Sequence, residues 1–171
     1  MNLNIYLIGM MGSGKSTIGK MLSEVLKIDF IDTDKKIENF MGLSITQIFE
    51  EFGEERFREM EESYFIEKSQ LQNLIISTGG GIILSKKNRE ILKSSSKTIY
   101  LKASPKILAK RVKKKKYKRP LLQNNSNSIL QTLNNLYEKR NKLYKESAQF
   151  IIETDHLSKT EKFNEVLECI R

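Results

Sequence analysis

The chain has 171 residues, 39% of them apolar and 30% charged, which fits one globular domain with a sizeable core and excludes a disordered chain. Its one cysteine, Cys169, excludes an internal disulfide, and its one histidine, His156, excludes a two-histidine zinc site. The formal charge of +9 is local: KRVKKKKYKR (110–119) holds eight basic residues and no acidic one, and without those eight the chain carries +1. A nucleic-acid partner wants basic charge spread along a stripe, so none is expected. No apolar run reaches the length of a membrane span. The N-terminal MNLNIYLIG has neither a basic leader nor a secretory core, so the expected location is the cytoplasm.

In chain order, LNIYLI (3–8) is an apolar run that stops at Gly9 and reads as a buried strand. After a glycine-rich stretch, Ile18, Met21, Leu22, Val25 and Leu26 recur at helical spacing. IDFID (28–32) reads as a second strand, and 34–40 and 44–70 as helices, with Ser44 and Thr46 near the start of the second. LIIST (74–78) is a third strand ending in three glycines, and Ser85 is placed to cap a helix over 86–94. TIYLKA (98–103) is a fourth strand. A helix over 104–112 follows, with Pro105 at its first position. The spacing then predicts a long amphipathic helix over 126–147, a fifth strand FIIET (150–154) and a last helix over 158–170. Strands alternating with helices predict a parallel sheet covered on both faces.

GMMGSGKSTIGK (9–20) carries the sharpest chemistry. Gly9-x-x-x-x-Gly14-Lys15-Ser16 fits the phosphate-loop pattern, between a strand and a helix as that pattern requires. Glycines let successive backbone N–H groups turn toward a phosphate, and the helix N-terminus favours the same anion. The residues expected around the nucleotide are Gly12, Ser13, Gly14, Lys15, Ser16 and Thr17. Lys15 reaches for the β- and γ-phosphates, and the Ser16 hydroxyl for Mg²⁺. No Asn-Lys-x-Asp guanine signature is present, and 171 residues leave little room for an oligomeric ATPase. A small kinase is the expectation.

Asp32 and Asp34 lie two apart in IDTD, so at a strand end they would project to one side. One could hold Mg²⁺ through water while the other accepts a substrate hydroxyl proton; a pair of helix caps is the equal alternative. FREMEE (57–62), STGGG (77–81), RPLL (119–122) and RNKLY (140–144) follow. Taken together and in this order, the phosphate loop, Asp-x-Asp, Phe-Arg-x-x-Glu, Gly-Gly-Gly, Arg-Pro-Leu-Leu and Arg-Asn-x-Leu-Tyr resemble shikimate kinase from Gly9 to about Thr154.

The resemblance implies a three-layer α/β/α sandwich with a five-stranded parallel sheet in the order 2-3-1-4-5. It also implies one domain, a substrate-binding region at about 33–62 and a mobile lid at about 112–124. It implies transfer of the ATP γ-phosphoryl group to the 3-hydroxyl of shikimate by a monomer, with Mg²⁺. Carried over residue by residue, Arg58 and Arg140 meet the shikimate carboxylate, and Glu61 orients Arg58. Asp34 holds the ring hydroxyls and acts as base. The Gly79, Gly80 and Gly81 backbone closes over the ring, with Phe49 and Phe57 as apolar walls. Ser16 and Asp32 manage Mg²⁺. Arg119 swings in on the lid to stabilise the transferring phosphoryl group, alongside Lys15. Arg111 is the arginine nearest the family's adenine-stacking position, one residue out of register, because the position seven before Arg119 is Val112. Three of the seven arginines thus take substrate or phosphoryl roles in a chain with 23 lysines. The rivals are another small-molecule kinase such as a gluconate kinase, and a non-catalytic nucleotide- or nucleic-acid-binding module.

Overall fold

The computed structural model describes residues 4–95, 97–114 and 128–171. Strands β1 (Ile5–Ile8), β2 (Asp29–Asp32), β3 (Leu74–Ser77), β4 (Thr98–Lys102) and β5 (Phe150–Glu153) form one parallel sheet in the order β2-β3-β1-β4-β5. Leu7 and Asp32 both pair with Ser77, which brings the carboxyl ends of β1, β2 and β3 to one edge. Ligands of open α/β sheets bind at that edge.

The central strand β1 and its neighbour β3 are buried along their whole length, which is why they read as unbroken apolar runs. Strand alternation sends their side chains to two cores. Tyr6, Ile8, Ile76 and Tyr100 face α3 (Ile45–Ser69), α4 (Lys86–Ser94), α5 (Pro105–Lys114) and α6 (Ile129–Ser147) through Phe65, Leu92, Leu108 and Tyr144. Ile5, Leu7, Ile75 and Ile99 face α1 (Lys15–Leu26) and α7 (Lys159–Ile170) through Ile18, Leu22 and Val166. Truncating such a core isoleucine to alanine costs about 2–5 kcal/mol. A third, smaller core of Ile37, Ile48 and Phe57 joins α2 (Thr33–Met41) to α3.

Caps explain the helix starts. Ser44 and Gln47 form a capping box on α3, Ser158 and Glu161 one on α7, and Ser85 and Ser128 cap α4 and α6. The expected helix over 44–70 is corrected in one respect: it breaks at Gly53, whose φ of 81° and ψ of 164° lie outside helical space. The expected start of α6 at 126 and most of the expected lid, including Arg119, lie outside the described residues. No described helix is long and apolar enough to cross a membrane.

Candidate active site

The loop after β1 turns through Gly9, Gly12 and Gly14, with φ of 141°, 81° and 108°. L side chains rarely adopt those values, so the glycines let the backbone wrap. Gly14 is the N-cap of α1, and the helix dipole therefore points at whatever the loop encloses. Lys15 is 7% exposed, and its ammonium donates to the Gly9 and Met10 carbonyls at 2.8 and 3.1 Å. Ser16 Oγ donates to Asp32 Oδ2 at 2.5 Å.

Of the two aspartates only Asp32 is a helix cap, and it also meets the loop. Its Oδ1 accepts from the Lys35 backbone N–H at 3.3 Å and caps α2, while Oδ2 meets Ser16. That cap ends β2 at once, so Asp34 does not sit on the strand, as expected from the two-residue spacing, but in the first turn of α2. A carboxylate there is favoured by the helix N-terminus.

Asp34 lines two cavities. One, of about 430 Å³, also contains Lys15, Ser16, Asp32 and Gly80. The other is bounded by Phe49, Phe57, Arg58, Glu61, Gly81 and Arg140, and shares Asp34 and Gly80 with the first. A third, of about 250 Å³, joins the loop to Arg111, Lys159 and Lys162. The first two cavities therefore adjoin, with Asp34 and Gly80 lining both.

Arg58 is held on several sides. Nη1 donates to Glu61 Oε2 at 2.6 Å, and Nε and Nη2 donate to Glu54 Oε1 at 3.3 and 3.0 Å. Its guanidinium lies 5.1 Å from the Phe57 ring centroid and 5.9 Å from that of Phe49, a cation–π arrangement that suits arginine. Arg140, 4% exposed, donates to the Gly80 carbonyl at 3.1 Å, and the Tyr144 hydroxyl donates to the same oxygen at 2.5 Å. Gly79 N–H donates to Thr33 Oγ1 at 3.0 Å.

Two of the three glycines are dictated by close approach. A β-carbon at Gly79 would come within 3 Å of both Glu61 Oε1 and Asp34 Oδ1, and one at Gly81 within 3 Å of the Arg58 guanidinium. Glu61 is 2% exposed. Burial raises its pKa to about 7, assisted by the Asp34 charge and opposed by Arg58 and Arg140.

Arg111 donates to Thr154 Oγ1 and O at 3.2 and 2.7 Å, which fixes its guanidinium beside the loop. Val112 is buried in the core, 4% exposed. The structure thus gathers Gly12, Ser13, Gly14, Lys15, Ser16, Thr17, Asp32, Asp34, Arg58, Gly80, Gly81, Arg111 and Arg140 around three cavities that share lining residues, with Gly79 packed against Asp34 and Glu61. Arg119 lies outside the described residues.

Sequence reasoning missed Glu54, Lys159 and Lys162. Glu54 stands four residues before Arg58, a helical spacing that could have flagged it. Lys162 is 9% exposed, and its pKa is pulled down by burial and then by Arg111. Nothing local in the sequence announces that α7 lies beside the loop.

The sequence profile that matches residues 11–171 is that of shikimate kinase. The shikimate kinase of Histophilus somni (strain 2336) is 44% identical over 167 residues, covering 98% of this chain and 94% of that protein. The structure of shikimate kinase from Acinetobacter baumannii in complex with shikimate superposes with a TM-score of 0.91 at 37% identity, over 99% of this chain and 93% of that one. A gluconokinase from Sinorhizobium meliloti 1021 shares the fold at a TM-score of 0.59 and 16% identity, over 99% and 91% of the two chains. The chain belongs to the shikimate kinase family.

Proposed function

We propose that this chain transfers the γ-phosphoryl group of ATP to the 3-hydroxyl of shikimate, giving shikimate 3-phosphate and ADP. The observation that carries the reading is the acceptor pocket. Two guanidinium groups, Arg58 and Arg140, flank a glycine run beside Asp34, and Asp34 also lines the cavity of the phosphate loop. Such a pocket suits a small anionic polyol. A gluconate kinase needs no carboxylate clamp assembled from Arg58, the glycine run and Arg140.

In the reaction the acceptor oxygen bonds to the γ-phosphorus, and the bond from that phosphorus to the β,γ-bridging oxygen breaks. The hydroxyl proton passes to Asp34. A loose transition state needs little base assistance, so the larger task of Asp34 is to orient the hydroxyl. Lys15 and the loop N–H groups stabilise charge on the β- and γ-oxygens. Arg119 supplies a second cation from the lid, with the role carried over from the family resemblance. Arg111, fixed by Thr154, provides a flat face for adenine.

Mg²⁺ uses few protein ligands and keeps waters and phosphate oxygens. Ser16 Oγ and Asp32 Oδ2, 2.5 Å apart, offer the hard oxygen donors it prefers. These two residues would hold it, directly or through water, and it would neutralise phosphate charge. The reading is of one domain with a substrate-binding region at about 33–62 and a lid at about 112–124, working as a monomer in the cytoplasm.

The test is ADP release from Mg-ATP with shikimate, gluconate or no acceptor. Stimulation by shikimate alone is expected. Release indifferent to shikimate overturns the assignment.

A further inference from the structure

Resting on the reading just given, three carboxylates must share the acceptor pocket with two guanidinium groups. Asp34, Glu61 and the substrate carboxylate stand against Arg58 and Arg140. Glu61 is the most confined of the three. Its Oε2 accepts from Arg58, and its buried Oε1 has no hydrogen-bond partner among the described residues. That oxygen and Asp34 Oδ1 are neighbours on one side of Gly79, since both lie within 3 Å of the point a β-carbon there would occupy.

The charged and titratable groups around Glu61 come from three helices. On α3 there is Arg58, with Glu54 on its far side; neighbouring Glu62 is turned to Ser85 and Lys87. On α2 there is Asp34. On α6 there are Arg140 and Tyr144. An orphaned buried oxygen beside a second carboxylate is costly unless a proton lies between them. The pKa of Glu61, already about 7, is where a further nearby anion tips the balance. A substrate carboxylate on Arg58 is such an anion, because it draws on the one cation that Glu61 bonds.

We propose that Glu61 takes up one proton from solvent as shikimate binds, and that the neutral acid donates its O–H from Oε1 to Asp34 Oδ1. Glu61 is thus a positioning residue. It holds Asp34 charged and oriented, and it keeps the pocket from containing one anion too many.

Calorimetric titration of the protein with shikimate at about pH 8, in buffers of different ionisation enthalpy, tests this. The observed heat rises with buffer ionisation enthalpy, and the slope corresponds to uptake of about 0.5–1 proton. Glu61→Gln, which mimics the neutral acid, binds shikimate with a slope near zero. In infrared difference spectra, shikimate binding brings up the carbonyl stretch of a neutral carboxylic acid in the wild type and not in Glu61→Gln. Should Glu61→Gln fail to fold, Asp34→Asn decides, because removing the facing charge lowers the uptake.

Binding without buffer dependence overturns the inference and leaves the acceptor assignment standing. So does a slope that survives in Glu61→Gln or is unchanged in Asp34→Asn. Absence of shikimate binding by the wild type overturns the acceptor assignment and the inference together.

Discussion

Gly81→Ala is a sharp probe of the acceptor pocket, because it acts on Arg58 without touching its codon. Gly81 has φ of −99° and ψ of −4°, outside the left-handed region and open to alanine, so the backbone does not require glycine. The added β-carbon would come within 3 Å of Nη1, Cζ and Nη2 of Arg58. The guanidinium must therefore move, and Glu54, Glu61, Phe49 and Phe57 hold it on its other sides. The contact at greatest risk is the 2.6 Å bond to Glu61. Losing a charge-assisted bond costs about 1.5–3 kcal/mol, and a clamp misplaced by that much raises the shikimate KM by roughly 10- to 100-fold. The ATP KM should stay within about twofold, since Arg58 lines the acceptor cavity and not the one around Lys15 and Ser16. The assay is coupled ADP release, with each substrate varied at saturation of the other. Thermal unfolding reports the fold separately. A shikimate KM unchanged within about twofold, or equal rises for both substrates, would refute the placement of Arg58 as the clamp.

Glu54→Gln releases Nε and Nη2 of Arg58 from an intramolecular carboxylate that occupies the fork expected to take the substrate. Shikimate affinity should rise by about two- to fivefold, the worth of a half-exposed ion pair; unchanged or weaker binding in a direct titration counts against this competition. Arg119→Ala should lower kcat by at least about 100-fold while changing the shikimate Kd little, and an unchanged kcat removes the lid arginine from the mechanism. Glu61 also links stability to pH. Its pKa rises from 4.5 in the unfolded chain to about 7 on folding, so the folded state binds the extra proton. The stabilisation is complete below about pH 4.5 and is lost as pH rises through about 7, on the order of 3 kcal/mol in all. The stability of the wild type minus that of Glu61→Gln, from denaturant melts, should therefore fall between about pH 4.5 and 8; a difference that is flat or rising contradicts the buried-acid account.

Much of this protein was legible in its sequence because the signals are local. The pattern from Gly9 to Ser16 sits between an apolar run and a helical spacing, and backbone sterics alone demand glycine where φ is positive. Ser44, Ser85 and Pro105 mark helix starts through hydrogen bonds and dihedral limits within a single turn. Strands alternating with helices announced a parallel sheet covered on both faces, because each crossover helix must bury its apolar stripe on the sheet. Other features depend on residues far apart in the chain. The break at Gly53 was hidden because one glycine is tolerated in a helical pattern. The reason Gly79 and Gly81 are glycines is side-chain crowding from α2 and α3, which no local pattern encodes. Arg140 reaches the Gly80 carbonyl across 60 positions, and Lys162 stands beside the phosphate loop through the docking of α7 on α1. Sequence fixes what a segment can form, since that is settled by a few neighbouring dihedrals and contacts. Only the packed sheet and its helices decide which charges meet, because Coulomb energy and desolvation depend on distances that the chain's order does not contain.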